Sequence, residues 1–115
     1  MDKPLEGIRV IAIEQFGAGP YGSMYLAELG ADVIKVENRA TGGDPSRQSG
    51  AVTLADDDSA YFQAFNLSKR SVTVNLKSTE GRAIFEDLVR TADVVWNNLR
   101  GSQPAKLGLD YETLK

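Results

Sequence analysis

Short apolar runs alternate along this 115-residue chain with apolar residues at helical spacing. Residues 8–13 are almost wholly apolar, and residues 33–37 are rich in Val and Ile, so both are predicted to be strands buried in a parallel sheet. Between them, apolar residues recur at helical spacing from Pro20 to a stop at Gly30, which predicts a helix of about three turns. The first third of the chain is therefore a predicted β-α-β unit.

The second half of the chain continues the alternation. Residues 72–76 alternate apolar with polar side chains and predict a third strand. The apolar face of residues 79–92 predicts a second long helix, and residues 93–97 predict a fourth strand. Two short helices are predicted at the end of the chain, one capped by Ser102 and ending at Gly108 and one capped by Asp110.

The order of these elements predicts an α/β fold, a Rossmann-like and mostly parallel sheet with flanking helices. Residues 38–58 lack periodicity and are predicted to be a long loop, with one or two helical turns after it at 59–65. Ligands bind such sheets beyond the carboxyl ends of the strands. The segments 14–19, 37–39 and 97–101 are expected to meet there.

Composition narrows the classes of function. With 115 residues and 42% hydrophobic residues, the chain has the size of one small domain. It contains neither cysteine nor histidine, which excludes thiol nucleophiles, imidazole bases and zinc sites built on either side chain. The net charge of −3 argues against a nucleic-acid partner. No apolar stretch is long enough to span a membrane, so a cytoplasmic location is expected.

The segment 17–22 reads G-x-G-x-x-G between a predicted strand and a predicted helix, and Glu37 follows about twenty residues later, as in a dinucleotide-binding fingerprint. Residues 14–16 lengthen the exit from the strand, however, and Pro20 removes an N–H donor from the helix terminus. Ligand binding, NAD binding in particular, and a glycine turn that only reverses the chain all remain possible readings of this motif.

Several cations and amides are candidates for binding an anion. Arg39 and Arg47 fall in the predicted loop and are expected to act as a mobile anion clamp. Lys69 and Arg70 fit a solvated charge cluster beside a strand at least as well as a phosphate site. Residues 97–101 offer amide and guanidinium donors at the expected crevice. By contrast, Trp96 is predicted to lie in the core, and the acidic residues 56–58 to be solvated rather than to bind a metal.

A longer series of segments carries more information than any one of these motifs. It comprises PLEGIRV at 4–10, AGP at 18–20, LGADVIKVE at 29–37, GD at 43–44 with Arg47, YF at 61–62, Asn66, KRS at 69–71, LK at 76–77, EG at 80–81, ADV at 92–94 and LGLDY at 107–111. In this order, the segments resemble the N-terminal region of the family III CoA-transferases, a group that includes formyl-CoA transferase, carnitine CoA-transferases and α-methylacyl-CoA racemases. The resemblance covers nearly the whole chain and favours coenzyme A over NAD.

The resemblance implies that residues 1–115 are the N-terminal part of a large Rossmann-like domain that binds coenzyme A, and that two subunits interlock as a homodimer. It implies coenzyme A contacts at the turn after the first strand, at the strand-three end, after the fourth strand and at two further cations. These residues are Phe16, Gly17, Ala18, Arg39, Val74, Asn75, Leu76, Lys77, Asn98, Leu99, Arg100 and Lys106.

The resemblance also implies the chemistry. Family members transfer CoA between carboxylic acids through a mixed anhydride on an aspartate, and that aspartate would lie beyond residue 115. No catalytic residue, metal or permanently bound cofactor is therefore expected in this chain, and acyl-CoA and a small carboxylic acid are the expected substrates. By itself the chain is expected to be inactive. Two alternatives remain, part of an α-methylacyl-CoA racemase or a non-catalytic module that binds CoA or NAD.

Overall fold

The structure is a computed structural model that describes residues 2–115. Its strands are β1 (Arg9–Ile13), β2 (Asp32–Glu37), β3 (Thr53–Ala55), β4 (Asp58–Ser59), β5 (Arg70–Thr73) and β6 (Val94–Asn97). Its α-helices are α1 (Ala18–Glu28), α2 (Ala60–Phe65), α3 (Thr79–Arg90), α4 (Gln103–Lys106) and α5 (Tyr111–Leu114). Two 3-10 helices occupy Arg39–Thr41 and Pro45–Gln48.

Four parallel strands form the central sheet in the order β5-β2-β1-β6. Val10 in β1 aligns with Val33 in β2 and with Val94 in β6. The two inner strands, β1 and β2, carry the apolar runs of the sequence, as expected for strands covered on both faces. The structure confirms the predicted α/β class and the mostly parallel sheet.

The core lies on both faces of this sheet because successive side chains of a strand point in opposite directions. On one face, Ile11 and Ile34 pack with Phe85 of α3. On the other face, Val10 and Val33 pack with residues of α1 and the turn that follows it. Helices α1 and α3 therefore cover opposite faces, which is the arrangement of a doubly wound fold.

The helix termini follow the sequence signals closely. Helix α1 begins two residues before Pro20, and the chain leaves it through Gly30, whose φ of +107° belongs to a region that favours glycine. Ser78 caps α3 by accepting a hydrogen bond from the N–H of Gly81 at 3.0 Å. Asp110 caps α5, as predicted, by accepting from the N–H of Thr113.

The strand predicted third in the sequence is β5 of the structure, and it is shorter than predicted. Strand β5 ends at Thr73, and the N–H of Val74 donates to the carbonyl of Glu37 at 2.9 Å as the last contact with β2. The chain then turns at Asn75, whose carbonyl accepts from the N–H of Ser78 at the start of α3. The alternation through residue 76 therefore reflects side chains that pack on the core after the strand has ended.

Residues 38–58 are more ordered than the predicted loop. Asn38 and Asp44 cap the two 3-10 helices, each accepting a hydrogen bond from a backbone N–H two residues ahead. Strands β3 and β4 pair as an antiparallel hairpin with a register shift. These short elements lack any apolar period because their order comes from polar caps and not from a buried face. No helix among residues 2–115 is long and apolar enough to cross a membrane.

Candidate functional site

The three segments expected at the carboxyl edge of the sheet come together there. Asn98, after β6, accepts a hydrogen bond from the N–H of Gln15 at 3.1 Å and donates to the carbonyl of Gln15 at 2.9 Å. This reciprocal pair ties the turn after β1 to the segment after β6. Beside it opens a cleft of about 650 Å³, lined by Gln15, Phe16, Gly17, Ala18, Asn98, Leu99, Arg100 and Gln103.

A second cleft lies at the ends of β2 and β5. It measures about 220 Å³ and is lined by Ile13, Val36, Glu37, Asn38, Val74, Asn75, Leu76, Lys77, Gln103 and Leu107. Gln103, at the start of α4, lines both clefts, so they adjoin. Together the two clefts contain ten of the twelve residues predicted to contact coenzyme A.

The other two predicted residues do not line either cleft. Arg39 lies exposed in the first 3-10 helix, and Lys106 lies exposed at the end of α4. Conversely, the resemblance did not indicate Gln15 or Gln103. Gln15 falls in a segment that the sheet topology already placed at this edge, whereas no signal in the sequence pointed to Gln103.

Two glycines of the motif, Gly19 and Gly22, have a packing role. A Cβ atom added to Gly19 would lie 2.7 Å from the side chain of Asn98, and one added to Gly22 would lie 2.7 Å from the ring of Trp96. The indole N–H of Trp96 donates to the carbonyl of Gly19 at 3.1 Å. Both glycines therefore let α1 approach β6 and the segment after it, and Trp96 is a packing residue as predicted.

The turn between β1 and α1 also contains an unusual backbone conformation. Phe16 has a φ of +62°, in the left-handed region that bulky side chains rarely adopt. Its side chain is 45% exposed at the rim of the larger cleft. Its N–H donates to the Oδ1 atom of Asp44 at 3.1 Å.

Beneath this turn lies a buried cluster of four charged side chains, Glu14, Lys35, Asp44 and Lys69, none more than 2% exposed. The Nζ atom of Lys35 lies 2.7 Å from Asp44 and 3.7 Å from Glu14, and the Nζ atom of Lys69 lies 2.8 Å from Glu14. The cluster contains two charges of each sign, which is what burial of ions requires.

The cluster shifts two pKa values. Burial lowers the pKa of Lys69, and the neighbouring Glu14 offsets only part of that effect. Burial alone would raise the pKa of Asp44, but hydrogen bonds from Lys35, Ser46 and Phe16 outweigh it and hold that pKa below its usual value. Lys69 is thus a buried partner of Glu14, not a solvated cation or a phosphate ligand.

Glu37 and Arg47 form a second, bidentate ion pair, with N–O distances of 2.9 Å and 2.7 Å. The guanidinium of Arg47 also lies 3.9 Å from the ring centroid of Phe62. Burial would raise the pKa of Glu37, but hydrogen bonds from Arg47, Ser71 and the Asp44 N–H lower it to about 2.

Two expectations from the sequence are therefore wrong. Arg47 is not a mobile anion clamp, because Glu37 and Phe62 hold it in place. Glu37 is not available to a ribose hydroxyl as a dinucleotide fingerprint requires, because its side chain is 2% exposed and already accepts hydrogen bonds from protein donors. Arg70 pairs with Asp32 at the start of the strands, away from the clefts.

A metal centre has no support in the described part of the chain. Within residues 2–115, no group of three or more histidine, cysteine, aspartate or glutamate side chains is placed to hold a metal ion. The carboxylates nearest the clefts are instead paired with lysine and arginine. Besides apolar side chains and the paired carboxylate of Glu37, the clefts are lined by carboxamides and by the cations Lys77 and Arg100.

A family model described as CoA-transferase family III matches residues 5–115, nearly the whole chain. The chain belongs to this family. The match confirms the resemblance stated from the ordered segments of the sequence.

Curated members of the CoA-transferase family III are similar to this chain over almost all of its length. The succinate–glutarate CoA-transferase of Agrobacterium fabrum is 50% identical over an alignment of 117 positions, gaps included, that covers 97% of this chain and 29% of that protein. The succinyl-CoA:glutarate CoA-transferase of Mus musculus is 38% identical, covering 97% of this chain and 26% of that protein. The chain therefore spans less than a third of the length of these relatives.

Solved structures of the family confirm the fold. A CaiB/BaiF family protein from Brucella suis is 41% identical, with a TM-score of 0.87 over 100% of this chain and 31% of that one. A hypothetical protein from Mycobacterium tuberculosis is 39% identical, with a TM-score of 0.83 over 97% of this chain and 30% of that one. The sheet and its flanking helices are thus a family III CoA-transferase architecture.

Proposed function

We propose that this chain binds the coenzyme A portion of an acyl-CoA for a parent enzyme that transfers CoA between carboxylic acids. The observation that carries the proposal is the meeting, in two adjoining clefts, of ten of the residues that the family resemblance implies. Those clefts lie at the carboxyl edge of a parallel sheet, where folds of this class bind ligands. Relatives that are CoA-transferases by name support the same ligand.

The clefts have the chemistry to bind an elongated anion. Lys77 and Arg100 lie on separate clefts, and within residues 2–115 neither forms an ion pair. Gly17 and Ala18 place the N-terminus of α1 on the larger cleft, where unpaired N–H groups favour an anion. We assign the phosphates to these groups, with Arg39 and Lys106 as outlying cations that a bound ligand would reach by its length.

In the parent, an aspartate beyond residue 115 is proposed to attack the thioester carbonyl. The carbon–sulfur bond breaks, CoA leaves as a thiolate, and an aspartyl mixed anhydride forms. The CoA thiolate then attacks the aspartyl carbonyl of the anhydride, which releases the donor acid as its carboxylate and leaves a thioester between the enzyme and CoA. The acceptor carboxylate attacks this thioester and displaces the CoA thiolate, which gives a second mixed anhydride. Attack of the thiolate on the acceptor acyl carbonyl then forms the new acyl-CoA and regenerates the aspartate. The role of this chain is to hold CoA throughout, so no side chain described here needs to react.

The relatives also support a class of substrate: besides the two described above, they include a succinyl-CoA–L-malate CoA-transferase subunit of Chloroflexus aurantiacus and a succinyl-CoA:mesaconate CoA-transferase of Haloarcula marismortui. Their names contain succinate, glutarate, L-malate and mesaconate, which are all dicarboxylic acids. We propose that the parent acts on a dicarboxylic acyl-CoA and a second dicarboxylate, as a homodimer in the cytoplasm. An α-methylacyl-CoA racemase is the second candidate from the resemblance, although none of these relatives is named as one.

Calorimetric titration of the chain with CoA, succinyl-CoA and NAD tests the proposal. We expect CoA and succinyl-CoA to bind and NAD not to bind. Arg100→Ala and Lys77→Ala should each weaken CoA binding about three- to tenfold, because each removes one charged contact. Arg90→Ala, an exposed cation at the end of α3, is the matched control and should leave binding unchanged. NAD binding without CoA binding would refute the proposal.

A further inference from the structure

We propose that Asp44 is a positioning residue for coenzyme A binding, because its carboxylate holds the turn at residues 16–18 in the conformation that forms the rim of the larger cleft. The inference rests on the proposed function for its binding readout. The observations behind it are the backbone of Phe16, the contacts of Asp44 and the burial of both Asp44 oxygens.

The backbone of Phe16 needs an external constraint. A non-glycine residue with an aromatic side chain pays for the left-handed region with steric strain, and such residues persist where their surroundings fix them. Phe16 is 45% exposed, so its own side chain is not packed firmly enough to fix the turn. Asn98 holds the backbone of the preceding residue, Gln15, and the N–H bond to Asp44 connects residue 16 itself to the buried interior.

Asp44 is well placed to supply that constraint. Its Oδ1 atom accepts from the N–H of Phe16 at 3.1 Å and from the N–H and hydroxyl of Ser46 at 2.9 Å and 2.8 Å. Its Oδ2 atom lies 2.7 Å from the Nζ atom of Lys35. Its own N–H donates to Glu37 at 2.8 Å. Asp44 is thus fixed from β2 on one side while it fixes Phe16 on the other.

This arrangement gives Asp44 a function in ligand binding without direct contact to the ligand. Asp44 lines neither of the two clefts assigned to coenzyme A, whereas Phe16, Gly17 and Ala18 all line the larger one. Loss of the Asp44 carboxylate should let residue 16 relax toward negative φ. The turn would then move Gly17 and the start of α1, and with them the N–H groups offered to the ligand.

A structural measurement separates this inference from the CoA proposal. In the full chain without ligand, we expect Asp44→Asn to accelerate hydrogen exchange at the Phe16 amide and to change its N–H to Hα coupling constant. Ser46→Ala is the matched control, because it removes another hydrogen bond to the same Asp44 oxygen but leaves the Phe16 bond intact. Unchanged exchange and coupling at Phe16 in Asp44→Asn would overturn the inference, whether or not CoA binds.

The binding measurement tests whether a glycine at position 16 removes the need for Asp44. Asp44→Asn should raise the Kd for CoA about tenfold, on the scale of one strained backbone conformation, while Ser46→Ala should change it less than about threefold. Glycine adopts positive φ freely, so in a Phe16→Gly background the effect of Asp44→Asn on the Kd should largely disappear. An equal loss of affinity in both backgrounds, or no loss in a folded Asp44→Asn protein, would overturn the inference.

A second pair of variants applies if Asp44→Asn does not fold. Phe16→Asn and Phe16→Val both remove the ring, but asparagine tolerates the left-handed region and a β-branched valine does not. We expect Phe16→Asn to bind CoA at least about tenfold more tightly than Phe16→Val. Equal affinity of the two would contradict a requirement for this backbone conformation.

Discussion

Glu37 shows how a single carboxyl group links stability to pH. Its pKa lies at about 2, against 4.5 for the unperturbed group. Between these values the unfolded chain binds the proton and the folded chain does not, so the folded state gains stability as pH rises through this window. At pH values above the pKa of the unfolded chain, Glu37 makes its full contribution to the free energy of unfolding, on the order of 3 kcal/mol from the size of the pKa shift.

We therefore predict that Glu37→Gln will lower the free energy of unfolding at neutral pH and flatten its decline between about pH 5 and pH 2. Urea unfolding at a series of pH values measures both effects. Glu86→Gln is the control, because its pair with Arg82 is more exposed and its loss should cost less than about 1 kcal/mol. A pH profile of Glu37→Gln parallel to the wild type would contradict this assignment.

Residue-scale contacts also explain two errors of the sequence interpretation. The sequence neighbours of Arg47 and Lys69 do not reveal their partners, because Glu37 and Glu14 lie 10 and 55 residues away along the chain. In a sequence, a charged residue whose tertiary partner is unknown looks either solvated or ligand-binding. The buried pairs could not be predicted because nothing local distinguishes a lysine that will be covered from one that will remain exposed.

At the scale of elements, the packing of α1 against β6 depends on two missing side chains. We predict that Gly22→Ala will destabilise the chain by about 1–3 kcal/mol through overpacking against Trp96, even though alanine favours a helix by nearly 1 kcal/mol over glycine. Tyr25→Ala, at a 51% exposed position of the same helix, is the comparison and should cost less. Chemical denaturation measures both, and a stabilised Gly22→Ala protein would refute the packing argument.

One arginine of α3 forms hydrogen bonds to the segment that follows α4. The guanidinium of Arg82 donates to the carbonyls of Leu107 and Gly108 at 2.8 Å and 2.9 Å, beyond the end of α4. Through that contact, Arg82 fixes the segment that carries Gln103 and Leu107 into the smaller cleft.

We expect Arg82→Ala to cost about 1–3 kcal/mol, because two carbonyls lose a charged donor, and to speed hydrogen exchange across residues 103–109. Arg90→Ala, on the same helix but 68% exposed, should change neither by a measurable amount. Exchange at 103–109 that remains at the wild-type rate would show that α4 is held by its apolar contacts alone.

The elements themselves were largely predictable from sequence. Strands β1 and β2, helices α1 and α3, and the cap at Asp110 all follow local signals of periodicity and turn chemistry, whereas Ser102 precedes α4 without a side-chain cap hydrogen bond. The hairpin of β3 and β4 was missed because β3 has only exposed side chains and β4 is two polar residues long, so neither shows apolar alternation. Of the candidate site, the topology predicted which segments meet, whereas the reciprocal bond of Asn98 with Gln15 and the place of Gln103 depend on tertiary geometry.

At the scale of the whole molecule, the two edges of the sheet differ. Strand β5 borders one edge and begins at Arg70, which is 63% exposed, whereas β6 borders the other with the partly exposed, apolar Val94. Edge strands without charges are prone to pair with further strands. The β6 edge is therefore where copies of this chain are expected to associate.

We predict that the isolated chain will self-associate with rising concentration and that Val94→Lys will reduce this association, because a charge on the edge opposes strand pairing. Analytical ultracentrifugation measures the effect as a shift toward the monomer. Thr73→Lys, at the β5 edge, is the control and should leave association unchanged. Equal behaviour of the two variants would place the contact elsewhere.

The position of Trp96 has a practical consequence for studying the molecule. It is the single tryptophan of the chain, and its indole ring extends from β6 and packs against Gly19 and Gly22 of α1, at the end of that helix nearest the larger cleft. Its emission therefore comes from one known place and changes when α1 shifts or separates from the sheet. The protein thus contains an intrinsic optical reporter, at the junction of the fold and the candidate site, without any added label.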